Sequence, residues 1–98
     1  MPKRKYRGKE WWAEMRLHLA AEQQSRCPWC GGDLLTGDEV AVHHRQRRQG
    51  RDEDDDLGNL LLLHGPCHRE VHANPALARE RGAIVPTWAD PLDVPKPS

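Results

Sequence analysis

The chain has no phenylalanine, a single tyrosine and only three cysteines among its 98 residues, and its net formal charge is zero. A polar composition (31% charged, 37% hydrophobic; mean hydropathy -0.89) leaves material for one thin core and one small domain. Domains of this size usually need a staple besides their apolar contacts. Three cysteines allow at most one disulfide and leave a thiol over. No apolar N-terminal stretch resembles a signal peptide, and no run approaches the ~20 apolar residues of a membrane span. A cytoplasmic location away from membranes is therefore expected, and there cysteine clusters bind metal more often than they form bridges. Zero net charge argues against a nucleic-acid binder until its distribution is considered. Lys3, Arg4, Lys5, Arg7 and Lys9 crowd the N-terminus and Arg45, Arg47, Arg48 and Arg51 the middle, while the acids gather at Asp52 to Asp56.

Residues 1–9 read as a flexible basic arm. Residues 10–24 (EWWAEMRLHLAAEQQ) are helix formers with Trp11 or Trp12, Met15 and Leu19 at roughly helical spacing, an amphipathic helix whose Trp face packs inward. From Asp38 to Arg45 the chain alternates, with Val40, Val42 and His44 on one side and Ala41 and His43 on the other, which suits a half-buried strand. A polar loop spans 46–58, and Leu60 to Leu63 form a second strand or extended lead-in. Helix is expected from Cys67 to about Gly82, broken near Ala73 to Pro75. The proline-rich tail should be an extended strap with Trp88 partly buried, fraying after about Pro91 and disordered over 92–98. Residues 10–91 are then a single domain.

Cys27-Pro-Trp-Cys30 is half of a zinc site, because a tight turn lets two thiolates converge on one soft-ligand ion. His64-Gly-Pro-Cys67 repeats the spacing. Together Cys27, Cys30, His64 and Cys67 form a closed Cys3His set with no position left for substrate, hence a structural Zn2+. His72 in place of His64 is the rival fourth ligand. Further histidines remain. His68 and His72, four apart on a helix, project from one face and can chelate one cation. His43 and His44, adjacent on a strand, point to opposite sides, so one can bind the ion while its neighbour acts as a base.

The order CPWC, VHHR, GNLLLL, HGPCH, REVH resembles the HNH endonucleases, whose ββα-metal fold places a His, an Asn and a His on a β-hairpin and the following helix. The resemblance covers residues 27 to 72 by motif. The stretch that follows is similar to tails of small HNH proteins of actinobacterial phages, extending it to about residue 91. The HxxxH pair is also similar to colicin nuclease domains. At His64 the family usually has Cys, a substitution that keeps a zinc ligand.

What the resemblance implies is a small α+β ββα-metal domain, stapled by zinc, that cuts double-stranded DNA to leave 5′-phosphate and 3′-hydroxyl ends. His44 corresponds to the general base, His43, His68 and His72 to ligands of one catalytic divalent cation (Mg2+, Mn2+, Ni2+ or Zn2+), and Asn59 to the amide that braces the loop and keeps His44 aimed. Arg45, Arg47 and Arg48, with Lys3, Arg4 and Lys5, are the expected phosphate contacts. The acidic block should face away from DNA, and terminase or packaging proteins are the partners such a phage enzyme would have. The competing reading is a non-catalytic zinc module that binds DNA or protein; a structural virion or assembly component has no positive sequence feature behind it.

Overall fold

The computed structural model of the chain describes residues 8–47 and 55–97. Its elements run α1 (Lys9–Glu22), β1 (Val40–His44), β2 (Leu60–His64), α2 (Gly65–Ala73) and α3 (Pro75–Arg81), with 3-10 turns at Leu57–Asn59 and Pro91–Asp93. The ββα order expected from the resemblance is therefore present. Seven residues of the expected basic arm lie outside the described residues, and Lys9, the next charge along, already belongs to α1.

β1 and β2 pair antiparallel, with His43 opposite Leu61 and His44 opposite Leu60. Because side chains alternate across a strand, this register deals the four leucines of β2 to two faces. Leu60 and Leu62 meet Leu19, Trp12 and Met15 of α1 together with Val40 and Val42. Leu61 and Leu63 meet Cys27, Trp29, Cys67, Val71, Ala78 and Ala83. Helices thus cover both faces of a two-stranded sheet, which is why β2 reads as an unbroken apolar run. The outer edge of β2 is closed by a side chain: Gln23 at the end of α1 donates to the Leu62 carbonyl (2.9 Å) and accepts from the Leu62 N–H (2.8 Å).

His64 leads without a loop into α2, where Pro66 in the first turn lacks an N–H that would have no helical partner there. The helix breaks at Asn74, as expected, and Pro75 starts α3. Gly82 ends α3 at φ +87°, and a Cβ there would fall 2.4 Å from the Pro95 carbonyl oxygen, so only glycine fits.

The tail differs from expectation. Trp88 is 85% exposed rather than partly buried, because the backbone around it, at Pro86 and Ala89, is what the body of the domain holds: both carbonyls accept from the Gln46 amide (2.6 and 2.9 Å). Beyond Pro91 the chain is tied down where fraying was expected. Val94 and Pro95 present their carbonyls to the Arg45 guanidinium (2.6 and 3.2 Å). Lys96 reaches the Leu57 carbonyl (2.7 Å) and the Glu22 carboxylate.

Candidate metal centres and catalytic face

The first cluster joins the turn before the hairpin to the end of it. Cys27 and Cys30 sit on a turn closed by the Gly31 N–H to the Cys27 carbonyl and the Cys27 N–H to the Gly32 carbonyl (both 2.8 Å). His64 ends β2 and Cys67 lies in the first turn of α2. One ligand atom from each of the four lies within 4.8 Å of the others. His64 turns Nδ1 toward Cys30 Sγ (3.4 Å) and hands Nε2–H to the Asp33 carbonyl (3.0 Å) and the Asp38 carboxylate (3.3 Å). A second nitrogen engaged in this way is the usual support of a metal-ligating histidine.

Burial acts to raise the Cys27 thiol, but hydrogen bonds from the backbone of Cys30, His64 and Trp29 outweigh it and bring it to about 7. Burial pushes Cys67 up to about 12, while the bond to Cys30 raises His64 to about 9. Thiols and an imidazolium crowded together in this way favour their deprotonated ligand forms when a soft cation is present. The donor set and its spacing fit Zn2+.

The second cluster joins β1 to α2. His43 projects from β1 toward α2, where His68 and His72 stand one turn apart, and a ligand atom from each of the three lies within 4.8 Å of the others. The His43 ring centroid is 5.3 Å from each of theirs, and the two Nε2 atoms of His68 and His72 are 3.1 Å apart. His43 is only 2% exposed and its Nε2–H donates to the Ala83 carbonyl (2.7 Å), which leaves Nδ1 for the cluster. Burial, reinforced by the neighbouring histidines and opposed by the Ala83 bond, pushes His43 down to about 4. Burial and His72, then Arg47 and Arg69, lower His68. Three nitrogens converging, one of them kept neutral and oriented by a carbonyl, fit a divalent transition-metal ion. His72 is thus grouped with His43 and His68, and His64 with the cysteines.

His44 occupies the opposite face of β1, its ring edge-on to Trp12 of α1 with centroids 6.0 Å apart. Its Nε2–H donates to Asp55 Oδ1 (2.9 Å), and Arg47 Nη2 stands 3.5 Å from its Nδ1. Arg47 is exposed, and its charge also acts to lower His68. Asn59 closes the segment behind His44. Its Oδ1 accepts from the Gln46 N–H (2.9 Å), its Nδ2 donates to the Gln46 carbonyl (2.7 Å), and its own carbonyl accepts from the Arg45 N–H (2.8 Å).

Arg45 does not belong among the phosphate contacts. It is 2% exposed, and its guanidinium donates to the carbonyls of Gly82, Gly58, Pro91, Val94 and Pro95. The fork of donors that suits a phosphate is spent here on backbone. Arg47 is exposed, whereas Arg48, Lys3, Arg4 and Lys5 lie outside the described residues. The acidic block does not simply face away either: Asp55 is buried against His44, a contact that nothing in a run of five acids marks out beforehand.

Residues 27–74 match the family described as HNH endonuclease. No curated protein and no solved structure matches the chain.

Proposed function

This chain carries a domain of the HNH endonuclease family over residues 27–74, and from that premise we propose that it hydrolyses phosphodiester bonds in double-stranded DNA with His44 as general base. The observation that carries the reading is the gathering of three imidazoles, from His43, His68 and His72, beside a fourth that is kept apart from them. Arg47, exposed and 3.5 Å from His44 Nδ1, offers a cationic donor beside that fourth ring.

In its neutral form His44 accepts a proton from water as the water oxygen bonds to phosphorus. The bond from phosphorus to the 3′ oxygen breaks, its electron pair leaves with that oxygen, and solvent supplies the proton that makes the 3′-hydroxyl, leaving a 5′-phosphate. The divalent cation that the three imidazoles would hold supplies, when bound, positive charge that offsets the charge building up on the phosphate oxygens. Nitrogen donors suit Mn2+, Ni2+ or Zn2+ better than Mg2+. Arg47 holds a neighbouring phosphate, and Arg48 with Lys3, Arg4 and Lys5 adds contacts that weaken as salt rises. Asn59 keeps the turn after His44 from relaxing. The Cys3His zinc is structural.

His44→Ala tests the assignment. With zinc-loaded protein, supercoiled plasmid and Mn2+ or Ni2+, the wild type should nick or linearise the DNA. The variant should be slower by at least about a hundredfold, with zinc content and DNA affinity unchanged. A variant cutting at the wild-type rate removes His44 from the chemistry, and a wild type inert with every ion favours a non-catalytic zinc module.

A further inference from the structure

We propose that Asp55 is a positioning residue for His44, fixing which ring nitrogen carries the proton and which faces the substrate; the proposal rests on the nuclease reading above. Asp55 belongs to a run of acids that solvent would readily accommodate, yet it is 3% exposed. In the contact itself the two side chains are 1% and 6% exposed. Burying a carboxylate is costly unless a hydrogen-bonding partner compensates, and the imidazole of His44 lies 2.9 Å from it. An ionised carboxylate only accepts hydrogen bonds, so the proton of neutral His44 sits on Nε2 and the lone pair on Nδ1.

An independent contact agrees. Arg47 can only donate, and it approaches the ring at Nδ1. Trp12, edge-on to the ring, restricts its rotation from the α1 side. The arrangement has two consequences for proton transfer. Nδ1 is kept unprotonated, on the side where Arg47 stands 3.5 Å away. The imidazolium formed once Nδ1 has taken the water proton then lies against a buried negative charge, the role a carboxylate plays behind a catalytic histidine elsewhere.

The experiment combines kinetics with the nitrogen spectrum of the histidine ring in the zinc-loaded protein. In long-range proton–nitrogen correlation spectra of the neutral ring, wild-type His44 should show a protonated Nε2 and an unprotonated Nδ1. Asp55→Asn keeps the shape but loses the charge, and its amide can offer a donor. It should lower kcat on plasmid about a hundredfold or more, leave KM and zinc content unchanged, and abolish the fixed Nε2–H pattern. Asp55→Glu should restore part of both.

A wild-type ring protonated on Nδ1 overturns the proposal, and so does an Asp55→Asn enzyme with wild-type kcat. If Asp55→Asn does not fold, the wild-type spectrum and the Asp55→Glu rate still decide. A wild type that cuts no DNA under any condition sinks the nuclease reading alone, while the change in the ring spectrum between wild type and Asp55→Asn continues to test the hold of Asp55 on His44.

Discussion

His43 and His44 are neighbours in sequence with opposite surroundings. One is sealed under α2 with its Nε2–H on a carbonyl, the other stands between Trp12 and Asp55. Burial depresses His43 to about 4 from an ordinary 6.5. A histidine whose folded value lies below its unfolded one contributes full stability above about pH 6.5, and that contribution is lost as pH falls toward 4. The loss is of order 3 kcal/mol. Denaturant unfolding of wild type and His43→Gln from pH 7.5 to 4 should therefore show a steeper acid loss in the wild type. Parallel curves would mean that His43 titrates normally.

At this scale the sequence was readable wherever chemistry repeats at a fixed spacing. The two knuckles and the His68/His72 pair needed only a turn and a helix to converge. Asp55 and Arg45 were not readable, because their roles depend on which member of a charged run the chain turns inward. Identical neighbours carry no mark of that. Arg45 looks like its companions Arg47 and Arg48, yet backbone carbonyls from three separate parts of the chain surround it.

Among elements, the alternation in β1 marks a strand and Pro75 the break between α2 and α3. The short apolar run of β2 fits a strand or a lead-in equally, and only the family resemblance implies that the two pair as a hairpin. The strap departs from expectation because proline-rich sequence has no periodicity, and what orders it is the buried Arg45 guanidinium together with the Gln46 amide and Lys96. Arg45 links the Gly82 turn, the 3-10 turn before β2 and the strap at Pro91 to Pro95. Next along, the Ala83 carbonyl orients His43. The Gly82–Ala83 turn, held by Arg45 on one side and bonded to His43 on the other, thus supports the three-histidine cluster although it lies beyond the matched residues 27–74. Arg45→Ala should cost at least about 3 kcal/mol in denaturant unfolding, since several buried carbonyls lose a charged donor together. Arg45→Lys should recover only part, because an ammonium cannot reproduce the fork. A loss under about 1 kcal/mol would show that the strap holds without it.

For the molecule as a whole, two small apolar clusters lie on either side of one hairpin, and the Cys3His site ties the segment before the hairpin to the helix after it. Zinc affinities of this ligand type, about 10–16 kcal/mol, match or exceed the whole stability of a small domain. Stripping zinc with a strong chelator at neutral pH should abolish the cooperative thermal transition followed by circular dichroism; an unchanged melt would make the cluster dispensable. The sharpest test concerns the separation of the two ion sites. In a calorimetric titration of zinc-loaded protein with Ni2+, the wild type should take up one further ion per chain, and His68→Ala/His72→Ala should take up none while retaining its zinc. No additional ion in the wild type, or an undiminished one in the double variant, would contradict the account.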